Sequence, residues 1–249
     1  MRKHVLALVA TALLAGVVAG AAQASHSWGN YHWARTSNPF TLTVVDTTSG
    51  VWPSHTSAAV NDWARSSVLD LVLTTGSADR NCRALKGMVK VCNSAYGLNN
   101  WLGLATISVR GGHITAGTTK VNDSYFSQTR YNDPTKRQHV MCQEVGHDFG
   151  LGHQDESGAD LNTCMDYSSA LDNPSPNAHD YEQLEIIYGS HFDAGTTISM
   201  GLAGSENAKP VLVERNDRIT NSVITERFAD GTYLVTHVTW ALDTGPGRS

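Results

Sequence analysis

The sequence predicts an α+β fold: several strands with an N-terminal helix, a central helix and a C-terminal helix, followed by a small β-rich appendage. Two observations predict it. Several short segments are β-branched and alternate apolar with polar residues, the period of a half-buried strand. Two other segments repeat their apolar residues every three or four positions, the period of a helix lying on a core, and a third reads as helix after a chain break. Composition agrees with a packed core. The chain has 249 residues, 41% of them apolar and 16% charged, with a formal net charge of −5. That excludes wholesale disorder, collagen and a polytopic membrane protein. Basic residues cluster only at Arg2-Lys3 and Lys136-Arg137, so no footprint for nucleic acid exists.

In chain order, residues 1–24 read as a secretory signal peptide. Arg2 and Lys3 precede an apolar run from Val5 to Ala22, and Ala22-Gln23-Ala24 supplies the small residues around a cut. Residues 25–38 form an irregular arm ending at Pro39. Phe40–Asp46 alternates as a strand. Val51–Ser67 has helical spacing at 52, 59, 60, 63 and 64, with Pro53 tolerated in the first turn. Val68–Thr74 returns to strand character, and a short strand is expected around Met88–Val91. Leu102–Val109 and Ile114–Val121 read as two strands joined at Arg110-Gly111-Gly112. Asp133-Pro134 breaks the chain before a helix over Thr135–Phe149. An irregular stretch, 150–178, precedes a second periodic segment, His179–Tyr188. Val211–Glu214 and Tyr233–Trp240 are strand-like, with a turn at Asp230-Gly231. Residues 25–191 are expected as the main domain and 192–249 as the extension.

Export gives the four cysteines an oxidising environment, where disulfides prevail. Four cysteines pair in three ways. Proximity in sequence selects Cys82–Cys92 and Cys142–Cys164, and the absence of any Cys-x-x-Cys pair argues against a thiolate zinc site.

The segment Cys142 to Tyr167 carries the chemistry. On a helix, Gln143 and His147 lie one turn apart, with about 6 Å between Cβ atoms, so both can reach one ion. Glu144 sits beside that face, placed to touch a water rather than the ion. Gly150 can take the left-handed conformation that ends a helix, after which His153 returns as a third ligand. Three protein ligands and one open position suit a catalytic zinc.

Glu144, His147, Gly150 and His153, followed by Cys164-Met165-Asp166-Tyr167, resemble the metzincin clan of zinc endopeptidases. Its signature is His-Glu-x-x-His-x-x-Gly-x-x-His and then a Met-containing turn. Residues 179–189 are similar to the last helix of matrixins, so the resemblance spans about 38–191. It implies a metzincin-like mixed β-sheet and a zinc (Zn2+) endopeptidase acting on protein or peptide substrates; the exported chain is expected to be a secreted monomer with no membrane association after signal cleavage. Glu144 is then the general base, Met165 the floor beneath the ion, and Tyr167 an extra ligand or oxyanion donor; the alternative for Tyr167 is a packing role. The departure is Gln143, which stands where the clan has its first histidine. Three arrangements remain open: Gln143 binds through its amide oxygen, another histidine such as His139 supplies the nitrogen, or the chain is a catalytically silent binding protein. Substrate is expected along the edge of Leu102–Val109 or Ile114–Val121, borrowing main-chain hydrogen bonds. His113, His179 and His191 are expected to be solvated.

Overall fold

The computed structural model describes residues 26–155, 157–197, 209–217 and 221–241. The expected signal peptide, 1–24, lies outside the described residues. Strand β1 is the two-residue segment His32–Trp33. Strand β2, Phe40–Asp46, forms where the alternation demands it, burying Leu42 and Val44 on one face. Helix α1, Trp52–Trp63, begins with a proline in its first turn and buries Trp52, Ala59, Val60 and Trp63. It crosses over to strand β3, Leu69–Thr75, which runs parallel to β2, the connection that parallel strands require. Strand β4, Met88–Ser94, lies on the other side of β2, also parallel. Strands β5, Trp101–Arg110, and β6, His113–Asn122, form the expected hairpin, and β6 pairs with β4 in parallel.

After a one-turn helix α2, Asp123–Phe126, comes helix α3, Pro134–His147. Its start is set chemically: Asp133 caps it by accepting hydrogen bonds from the backbone N–H groups of Thr135 and Lys136, and Pro134 occupies the first turn. Its end is set by Gly150. That residue has φ +88°, and its N–H donates to the His147 carbonyl. A Cβ at Gly150 would also meet the backbone oxygen of Tyr31 at 2.2 Å. Gly150→Ala therefore combines left-handed strain with a clash against backbone. We expect it to destabilise the chain by about 2–5 kcal/mol, read as a lowered Tm. Helix α4, Ala178–Gly189, starts with a capping box between Asn177 and Asp180.

The C-terminal strands are β7, Leu212–Asp217, β8, Asn221–Arg227, and β9, Thr232–Trp240. They continue the main sheet. Among the described residues it has nine strands in the order β3-β2-β4-β6-β5-β9-β8-β7, with β1 beside β6. The molecule is thus mixed α+β with one large mixed sheet and few helices. Helices α1 and α3 pack together over it: the Trp63 indole N–H donates to the Cys142 carbonyl, and Val44, Ala59, Val140, Val145, Phe149 and Ile107 are buried in one core.

This topology corrects one expectation. Neither β5 nor β6 offers a free edge for a substrate strand. β6 lies between β4 and β5, and the other side of β5 is paired along its length with β9. No helix among the described residues is long and apolar enough to cross a membrane.

Candidate metal centre

Helix α3 brings Gln143, Glu144 and His147 to the sheet, and the Gly150 turn returns His153 towards His147. Both disulfides follow the sequence-local pairing, Cys82–Cys92 and Cys142–Cys164. The second ties α3 to the turn bearing Met165. Closing a loop of 22 residues contributes on the order of 3 kcal/mol. Met165 is fully buried, with its sulfur close over Gly146 of α3. Its carbonyl accepts from the Gln154 N–H, which holds the His153 segment against the turn.

The third imidazole comes from β9. One ring nitrogen from each of His147, His153 and His237 lies within 4.8 Å of the others. The ring centroids of His147 and His237 are 3.9 Å apart, those of His153 and His237 4.7 Å, and those of His147 and His153 4.8 Å. His237 was not among the sequence candidates. Its position follows from register: His237 pairs with Ala105 of β5, under the last turns of α3.

The tautomers follow from the partners. His147 Nδ1 is 2.8 Å from the Leu151 carbonyl, which only accepts, so Nδ1 carries the proton and Nε2 a lone pair. His237 Nδ1 lies 3.3 Å from Glu144 Oε2 and donates to it, freeing its Nε2 likewise. The Nε2 atoms of His147, His153 and His237 are all buried without a hydrogen-bond partner. Three buried, unpartnered ring nitrogens, two of them left as lone pairs by their outer partners, suit a borderline dication such as zinc. Burial pushes all three imidazoles below their ordinary range, His147 and His237 to about 3. They are therefore neutral, the form that binds metal.

Gln143 is engaged elsewhere. Its Nε2 donates to the carbonyls of Cys164 (3.0 Å) and Asp166 (3.2 Å), and its Oε1 accepts from the Thr239 hydroxyl at 2.8 Å. The amide fastens the Met165 turn and β9 to α3. His139 is fully buried, beside Asn173 and Asp160, and is not among the converging nitrogens.

Glu144 is fully buried, and burial raises its pKa to about 7. A Cβ on Gly103 would meet Glu144 Oε1 at 2.6 Å, so this glycine makes room for the carboxyl over β5. The Thr239 hydroxyl lies 2.6 Å from Glu144 Oε1 and 2.8 Å from Gln143 Oε1. One hydroxyl has one proton, so the second contact draws a proton from Glu144, which its raised pKa supplies. In front of the three rings lies a cavity of about 450 Å³, also lined by Trp28, Asp155, Tyr167 and Val223. The Tyr167 ring stacks on His153 with 3.8 Å between centroids.

The buried groups give the metal-free chain a signed pH dependence. His26, His32, His139, His147, His153 and His237 lie below their ordinary 6.5. Each is protonated more readily when unfolded, so its contribution to stability is lost as pH falls below 6.5. Glu144, Asp148, Asp166 and Asp180 are raised by burial and act in the opposite sense. The histidines outnumber them. Between pH 6.5 and 5 the metal-free chain should therefore lose stability, seen as a falling Tm.

No protein-family model and no curated protein matches this chain. The centre stands on its own geometry.

Proposed function

We propose that the chain is a secreted, zinc-dependent peptide hydrolase of metzincin-like design, with the metal held by His147, His153 and His237. One observation carries this reading: His147, His153 and His237, whose Nε2 atoms are buried without partners, each bring a ring nitrogen within 4.8 Å of the others beside a cavity. Three nitrogen ligands with one side left open are the pattern of a catalytic rather than a structural zinc. The order of α3, the Gly150 turn and the disulfide-anchored Met165 turn supports the metzincin-like part. The third imidazole is supplied from β9, and Gln143 takes up the task of tying that strand in place. Two disulfides and the character of residues 1–24 support export.

When bound, zinc supplies a Lewis acid that lowers the pKa of water towards neutrality. The chain's own residues do the rest. Leu151 and Glu144 fix the tautomers of His147 and His237. Glu144 holds or releases a proton at Oε1 near neutral pH, the range a general base needs. Tyr167 stands on the cavity side of His153, in a position to donate to a substrate oxygen. Because β9 occupies the β5 edge, peptide enters through the cavity, whose volume lies within the range of small-ligand sites.

A catalytically silent metal-holding protein on the same scaffold is the second reading. It is favoured by the complete burial of Glu144 and by its contacts with Thr239 and His237. Casein hydrolysis by the secreted chain separates the two. The hydrolase loses activity to a chelator and regains it with added zinc. A chain that carries zinc and cleaves nothing is the silent protein.

A further inference from the structure

A second cluster of metal-ligating side chains lies on segments that the first centre does not use. His32 comes from β1, His113 from the start of β6, and His191 and Asp193 from the chain just after α4. His113 Nε2 is 2.9 Å from Asp193 Oδ1, His32 Nε2 is 3.6 Å from the same oxygen, and His191 Nε2 is 3.8 Å from it. His191 Nε2 is also 3.2 Å from His32 Nε2. Four donors around a tetrahedral zinc, each about 2.0–2.1 Å from the ion, sit roughly 3.3 Å from one another. These four spacings straddle that value, and donor atoms of His32, His113 and Asp193 all lie within 4.8 Å of one another, His191 joining them through His32 and Asp193.

The outer contacts point the same way. His32 Nδ1 lies 3.1 Å from the Asn30 carbonyl and must donate to it, so its Nε2 carries a lone pair aimed at His191 Nε2. Asp193 Oδ2 is held by Arg35, through its backbone N–H at 3.1 Å and its guanidinium at 3.3 Å, which leaves Oδ1 for the cluster. Arg35 is itself buried and donates to the carbonyls of Tyr188 and His191, fixing the segment that carries two of the four groups. The rings of His32 and His113 are tilted at 77°, and those of His32 and His191 at 89°. They meet edge-on rather than stacking.

We infer that His32, His113, His191 and Asp193 form a second, structural site for a divalent first-row transition metal, with zinc the best match. Three imidazoles and one carboxylate complete a four-coordinate shell and leave no open position, unlike the cavity-facing centre. The ion joins segments 159 residues apart, clamping the N-terminal arm and the chain after α4 to the β5–β6 hairpin. Because it binds only the folded chain, it raises Tm in proportion to its occupancy. The inference is independent of the proposed hydrolase, since neither site shares a ligand with the other.

The test uses the full secreted chain, stripped with a chelator and titrated with zinc or cobalt alone. Wild type should bind two equivalents. His153→Ala, which damages only the cavity-facing centre, should still bind one, give the intense visible absorption of four-coordinate cobalt, and melt higher with zinc. Adding His113→Ala and His191→Ala should abolish that band and weaken zinc binding at least a hundredfold; Asp193 is left intact because Arg35 depends on it. A His153→Ala chain that melts cooperatively but binds no ion, or gives no cobalt band, overturns the site whether or not the triple variant folds. Undiminished binding by a folded triple variant overturns it equally.

Discussion

Replacing His237 by alanine should strip the cavity-facing centre of its metal and abolish proteolysis, although the residue lies far outside the Glu144–His153 segment. Loss of an outer partner already costs a metal site roughly 10–100-fold in affinity. Loss of one of three protein ligands should cost more, since the converging group holds no Asp, Glu or Cys to substitute for it. Gln143→Ala should behave differently. It removes three hydrogen bonds, to Cys164, Asp166 and Thr239, and should lower stability by about 1–3 kcal/mol while zinc remains bound. Elemental analysis and melting of the two variants side by side give the answer. Zinc retained in His237→Ala and lost in Gln143→Ala would restore the amide as the ligand and remove β9 from the centre.

The contrast between Gln143 and His237 explains what was legible in the sequence. Local periodicity placed β2, α1, the β5–β6 hairpin, α3 and α4 to within a few residues, because each buries one face and the pattern records which. Proximity also gave both cysteine pairs. Strand β8 was missed, since Asn221–Arg227 mixes polar and apolar residues and is only half-buried. The larger omission is long-range. Alternation within Thr232–Trp240 puts Val235, His237 and Thr239 on one face, yet nothing local says that this face lies under α3. That depends on β9 pairing with β5, which fixes His237 opposite Ala105 and Thr239 opposite Gly103. The one available signal was indirect: a ligand position filled by glutamine invites a search for a histidine inside a distant strand. His32, His113, His191 and Asp193 were illegible for the same reason, being brought together only by the β1–β6 pairing and the return of the chain after α4.

Glu144→Gln should lower proteolysis by about 10²–10⁴-fold at saturating zinc, the usual worth of a general base. The substitution preserves size and keeps one oxygen for the donors around it. Beside the Thr239 hydroxyl, which takes the Oε1 proton, two donors face this carboxyl, however: His237 Nδ1 and the Ala105 backbone N–H. An amide nitrogen cannot accept from them, so one contact is lost at about 1–3 kcal/mol, and Tm should fall while the chain still folds. Saturating zinc matters because Glu144 also steadies His237. If the carboxyl serves only as that outer partner, zinc affinity falls by roughly 10–100-fold and the rate of the loaded chain stays the same. That outcome would remove Glu144 from the reaction and move the proton acceptor into the cavity, whose lining includes the Asp155 carboxylate. A rate loss with zinc fully bound would instead make the buried carboxyl, with its pKa near 7, the group that takes the proton. Its burial would then be what tunes it, because desolvation alone lifts an acid from its ordinary range to the pH at which a base works best.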